Sequence, residues 1–230
     1  MRTAIERVAT VLAGPVRQAK GNAEQPEALR GFARAETSIL HLPRTLSTTA
    51  SAAAQALSRH CFPSYDGTMR EGVDVLQHAR PLLAPAGARA LSDEVDRALE
   101  AFRRVSGTRA PQVFFGIVST DQCRKFHVDY IALRMVVTLA GPGTEWVDER
   151  NVDRFALERF VEDVNEANRS IVIDRALVQH CQAGDWLLLK GAAWPGREHA
   201  GAVHRSPPIE ATRQRRLVLI MTMPRTRRAG

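Results

Sequence analysis

Cysteine and lysine are scarce in this 230-residue chain, and long uninterrupted apolar runs are missing. Its three cysteines, Cys61, Cys123 and Cys181, are widely spaced, odd in number and without a Cys-x-x-Cys. That argues against a disulfide framework and against a thiolate zinc knuckle, and a reducing, cytoplasmic location is the expectation. The apolar stretch 131–139 is interrupted by Arg134, so nothing reads as a bilayer-spanning segment. Arg2, Glu6 and Arg7 fall in the first turns, which is unlike a signal peptide. Only Lys20, Lys125 and Lys190 are lysines among the 32 basic residues, so arginine carries the formal charge of +7. The arginines are dispersed, densest at Arg213, Arg215, Arg216, Arg225, Arg227 and Arg228, and no nucleic-acid motif accompanies them. A small-molecule substrate is therefore the expected partner, rather than nucleic acid or a membrane.

What is present is ordinary for a folded chain: 44% hydrophobic and 25% charged residues, enough to bury a core as one large domain or two modest ones. The first hundred residues read as helical. Leu91, Val95, Leu99 and Phe102 make one apolar stripe at three- and four-residue spacing, with Ser92 placed to cap its start and Asp93 and Glu94 at the positive end of the helix dipole. Further helices are expected over Ser47 to His60, around Val73, Leu76 and Ala79, and around Ile5, Val8 and Leu12. The segment Ser106 to Pro111 breaks the pattern. Beyond it come short apolar runs separated by glycine and proline, read as strands at 112–118, 124–130, 133–139, 171–173, 185–189, 202–204 and 216–221, with a helix at 155–164. The expectation is a helical region, 1–108, packed on a β-rich domain, 109–230, that forms a sandwich or barrel.

The chemistry centres on His127-Val128-Asp129. Residues two apart on a strand point to one face, so both side chains can reach one ion. With His204, from His-Arg-Ser-Pro-Pro, they would form a facial triad suited to non-haem Fe(II) and also able to hold Zn(II). A plainer alternative pairs Asp129 with an arginine and gives His127 a local hydrogen bond. A carboxylate at Glu145, after the tight turn 141–144, could stand behind the metal ligands or contact substrate. Cys123, Glu198 and His199 are further possible ligands, and a fourth ligand would favour a closed, structural zinc site.

Arg-Lys-Phe-His-Val-Asp-Tyr (124–130), Gly-Pro-Gly-Thr-Glu-Trp (141–146), Gly-Asp-Trp-Leu-Leu-Leu-Lys-Gly (184–191) and Val-His-Arg-Ser-Pro-Pro (203–208), in that order, resemble a bacterial family of unknown function, number 1826. The matched motifs lie in the C-terminal half. Its gene neighbourhoods imply a link to zinc homeostasis. The same residues are distantly similar to Fe(II)/2-oxoglutarate oxygenases and the cupin-like double-stranded β-helix. That resemblance implies an α+β fold with a double-stranded β-helix barrel, a metal held by His127, Asp129 and His204, and 2-oxoglutarate as cosubstrate. It also implies a basic residue about ten positions after His204 that binds the cosubstrate carboxylate. Of Arg213, Arg215 and Arg216, Arg216 is preferred because it opens an apolar strand. The function implied is that of a metal-dependent oxygenase; the alternative is a zinc-binding protein without turnover.

Overall fold

Helix and strand boundaries follow the local chemistry closely in the computed structural model, which describes residues 25–224. The helix predicted around Ile5 to Leu12 and the arginines at 225, 227 and 228 lie outside the described residues. The first part of the chain forms α1 (Gln25–Arg34), β1 (Ile39–Leu42), α2 (Thr48–Ser58), β2 (Tyr65–Thr68) and α3 (Pro85–Ser106). Ser47 caps α2 by accepting a hydrogen bond from the Ala50 N–H. Helix α3 starts two turns before Ser92, at Pro85, where a residue without an N–H leaves no donor unpaired. It stops at Gly107, whose φ of 68° is the left-handed conformation that ends helices. The stretch around Val73 to Ala79 forms turns instead of a helix, because the Asp74 carboxylate takes the Leu76 N–H and diverts the backbone.

The remaining elements are β3 (Gln112–Val118), β4 (Leu133–Ala140), β5 (Glu145–Val147), α4 (Arg154–Glu158), α5 (Val164–Ile171), β6 (Gln179–His180), β7 (Trp186–Lys190), β8 (Val203–Arg205) and β9 (Arg216–Thr222). The predicted helix over 155–164 is replaced by the two short helices α4 and α5, each capped by an aspartate, Asp153 and Asp163. The predicted strand at 171–173 is the end of α5 and one bridge between Val152 and Val172.

Two antiparallel sheets result, ordered β1-β7-β4-β9-β3-β2 and β6-β5-β8. Strands β1 and β2 come from the part of the sequence read as wholly helical. Alternation sorts the large sheet's side chains. Leu133, Met135 and Val137 of β4 and Leu217, Leu219 and Met221 of β9 join Leu57, Leu91, Leu99 and Phe102 of the helices in the main apolar core. The intervening residues point the other way, where Val136, Leu187 and Leu189 meet Trp146, Cys181 and Ala202 of the smaller sheet's side. Helices α4 and α5 cover that sheet's outer face through Ala156, Ala167 and Ile171 against Val147 and Val203. The architecture is mixed α and β, dominated by antiparallel sheet. No helix among the described residues is long and apolar enough to cross a membrane.

Candidate metal centre

The segment 124–130 is not the regular strand its alternation predicts. Cys123 has a positive φ of 51° and the chain bends again at 130–132, so a single bridge remains, between His127 and His204. That bridge is reciprocal: His127 N donates to His204 O at 3.0 Å and His204 N to His127 O at 3.1 Å. Directly paired residues project to the same side of a sheet, which stacks the two imidazoles with ring centroids 4.7 Å apart. Side-chain contacts supply what the ladder lacks. Asn168 of α5 accepts from Phe126 N at 2.8 Å and donates to Arg124 O at 3.0 Å, clamping the segment just ahead of His127. Behind Asp129, the backbone of Gly191 to Ala193 donates to the carbonyls of Ala132, Asp129 and Ile131. Gly191 is required for this approach: a Cβ there would collide with the carbonyl oxygens of Asp129 and Ile131.

The outcome is a group in which one ligand atom from each of His127, Asp129 and His204 lies within 4.8 Å of the others. Nε2 of His127 is 3.5 Å from Oδ1 of Asp129, and Nε2 of His204 is 3.4 Å from Oδ2. On the far side of each ring, Nδ1 meets a backbone carbonyl, Lys125 O at 2.8 Å and Ala202 O at 3.2 Å. A carbonyl only accepts, so each Nδ1 carries a proton, and a neutral ring then presents its Nε2 lone pair to the carboxylate. Acceptors converging on acceptors require a cation between them. A proton can serve: burial opposes it, but Asp129 and the Lys125 carbonyl outweigh burial and hold His127 above its ordinary pKa. His204 is held below its ordinary value by burial, with Asp129 offsetting only part of the effect. Burial opposes the charge on Asp129 too, yet its bonds to His127 and His204 prevail and drive it well below the usual carboxylate range. A divalent ion satisfies the same demand, so the donor set fits a metal.

Arg134 completes the surroundings of Asp129. Its Nη1 donates to Oδ2 and its Nε to Thr222 Oγ1. The plainer alternative drawn from the sequence, an arginine on Asp129 and a local bond for His127, is thus also observed, beside the assembled triad. No fourth ligand joins the group among the described residues. Cys123 is exposed, and His199 and Glu198 line a cleft of about 270 Å³ that His127 also borders. Glu145 is bound to Arg205 at 2.6 Å and faces His180 at 3.5 Å. Tyr130, next to Asp129, is 70% exposed.

Of the three arginine candidates, only Arg216 is buried, 3% exposed at the start of β9. Arg213 lies in an exposed turn and Arg215 reaches the carbonyl of His60. Arg216 donates to the hydroxyls of Thr138 and Thr144, both at 3.1 Å, and its Nε is buried without a partner. Burial pushes its pKa down to about 10, against the opposing influence of Cys181 and Glu145.

A family model described as "Protein of unknown function (DUF1826)" matches residues 23–221. The chain belongs to this family. The DUF1826 match spans both halves of the chain and is not confined to the C-terminal motifs. No curated protein matches the chain. Solved structures similar to this DUF1826 member include the Fe(II)/α-ketoglutarate-dependent dioxygenase TqaL, 14% identical over 87% of this chain and 86% of that one, with a TM-score of 0.47. Another is a full-length Neurospora crassa protein in complex with α-ketoglutarate and 5-formyluracil, 11% identical over 86% and 77%, TM-score 0.39. EvdMO1 is 12% identical over 88% of this chain and 50% of its own, TM-score 0.41. These are distant likenesses.

Asn168 and Arg134 were not singled out from the sequence. Asn168 gives no signal there, being one asparagine in a polar helix. Arg134 does give one: a charge inside the otherwise apolar run 131–139 needs a partner.

Proposed function

We propose that this protein is a metal-dependent oxygenase with its ion held by His127, Asp129 and His204. The observation that carries the reading is the convergence of two Nε2 atoms on one carboxylate, with each ring's Nδ1 held by a backbone carbonyl. Three ligands, with no fourth among the described residues, leave coordination positions for exchangeable partners, which suits Fe(II) better than a closed structural zinc site. The strand orders support a double-stranded β-helix: the triad segment extends the small sheet beside β8, opposite the central strands β7, β4 and β9 of the large one.

Arg216 is the proposed partner of the cosubstrate, 2-oxoglutarate. A buried guanidinium bonded to neutral hydroxyls through Nη2, with its Nε–H unused, has capacity for a carboxylate, and the planar fork suits bidentate pairing. Thr138 and Thr144 would orient it. Bound iron would supply oxygen activation and the redox chemistry, while the chain's own residues hold its ligands in place. Glu145, tied to Arg205, adds negative charge near Arg216 and is proposed as a supporting group behind the site.

The test is metal content by elemental analysis of anaerobically purified protein, wild type beside His127→Ala, with 2-oxoglutarate consumption measured on the iron-loaded form. Stoichiometric iron in the wild type, lost in the variant, together with 2-oxoglutarate consumption abolished by Arg216→Leu, is the expected result. Zinc without consumption would replace this reading with a zinc-binding one, and no metal in either protein would overturn the triad.

A further inference from the structure

A second group of chemistry-bearing residues, His41, Cys181 and Asp185, shares no member with the triad, and its His41 lies on the wall of a cavity of about 510 Å³. His41, on edge strand β1, places Nε2 2.8 Å from Oδ2 of Asp185. The carboxylate is fixed independently, since Oδ1 accepts from Arg44 N at 2.9 Å and Oδ2 from Gln182 N at 2.7 Å. Burial opposes the charge on Asp185, but His41 and those backbone bonds hold it below the ordinary carboxylate range. Nε2 of His41 therefore carries the proton, and in the neutral ring Nδ1 is an acceptor with no partner among the described residues. The cavity beside it is lined by Trp146, whose ring stands edge-on to His41 at 5.9 Å, and by Ile173 and Leu177. Ile173 and Leu177 are 67% and 54% exposed, apolar side chains left open to water at the rim. Asp148, Arg150, Asp174 and Gln179 complete the polar edge.

We propose that this cavity binds a flat, apolar small molecule carrying one N–H or O–H donor, which His41 Nδ1 accepts while Trp146, Ile173 and Leu177 cover the rings. A few placed polar groups in a mainly apolar concavity of this size are what small-molecule recognition requires. His41, Cys181 and Asp185 also lie within 4.8 Å of one another and could be read as metal ligands. Two features oppose that. The oxygens of Asp185 are already engaged by two backbone N–H groups and His41, and burial with the nearby Asp185 charge pushes the Cys181 thiol up to about 12, keeping its proton.

The probes are indole, which has the donor, and benzofuran, in which an oxygen replaces the N–H in a ring system of nearly the same shape. Binding is followed by NMR of protein labelled with ¹⁵N-histidine, in wild type and in His127→Ala, so that the result is independent of the triad. Saturable binding of indole should move the His41 Nδ1 resonance equally in both proteins. Loss of the donor should weaken binding by about three- to tenfold. Leu177→Asp, at an exposed position that does not endanger folding, should weaken indole by about tenfold or more. Equal affinity for the two probes, an unmoved His41 signal, or unchanged binding to Leu177→Asp would overturn the proposal. So would a His41 shift on adding Zn(II) in protein that ignores indole.

Discussion

Replacing Gly191 by alanine tests how the triad is positioned without touching a ligand. The added Cβ would fall against the carbonyl oxygens of Asp129 and Ile131, with Cγ1 of Ile131 at 3.0 Å. Restoring ordinary van der Waals separation requires the two backbones to part by about 1 Å. Those same two oxygens accept the hydrogen bonds from Ala192 N at 2.9 Å and Ala193 N at 3.0 Å, so the movement that relieves the clash also breaks both. Overpacking and the two lost bonds together cost about 2–4 kcal/mol. A shift of that size in Asp129 also exceeds the ~0.2 Å tolerance of a metal ligand. Gly191→Ala should therefore lower affinity for Mn(II), measured by calorimetry, by about tenfold or more and reduce unfolding free energy in urea. Gly31→Ala is the control, since Gly31 lies in α1 with nothing within 4 Å of the added Cβ, and it should raise stability by ~0.5–1 kcal/mol with unchanged metal affinity. Wild-type metal affinity in Gly191→Ala would refute the argument that this approach sets the ligand geometry.

Two other expectations concern buried polar groups. Asn168→Ala leaves the Phe126 N–H buried without an acceptor, and should cost ~1–3 kcal/mol in urea unfolding and about tenfold in metal affinity; a loss of stability alone would mean the clamp does not reach His127. Lys190, fully buried with Nζ donating to Ala35 O and lying between the Phe32 and Trp194 rings, has its pKa pushed down to about 8, chiefly by burial and secondly by Arg197. Below about 8 both folded and unfolded chains hold its proton; between there and the ordinary lysine value of 10.5 only the unfolded chain does, so stability contributed by this residue rises with pH across that window, by no more than about 3 kcal/mol. Lys190→Met should flatten that rise in urea titrations at pH 7.5 and 10, and an unchanged slope would rule Lys190 out as its source.

Strands β3, β4 and β9 were legible because each is long and apolar enough for its pattern to speak alone. Strand β1 was not, since four residues reading Ile-Leu-His-Leu carry no period, and β2 contains Asp66 and Gly67, both poor strand formers. Their places depend on partners far along the chain, Trp186 to Leu189 and Gln112 to Phe115. At the candidate site, the two-residue spacing of His127 and Asp129 survived although the strand that suggested it did not. One bridge to His204 preserves the side-chain direction that a full ladder would have given. His41 gives no signal in the sequence, because its partner Asp185 is 144 positions away.

The single bridge between His127 and His204 has a consequence for how the small sheet is held shut. Its fourth member is attached by one ring of two backbone bonds, where the strands of the large sheet are sewn along their length. An ion shared by His127 and His204 would be a second stitch through the side chains at that same rung. The margin of the sheet would then close when the ion enters and fray when it leaves, so amides from Arg124 to Asp129 would report loading by slower exchange with solvent before any chemistry takes place.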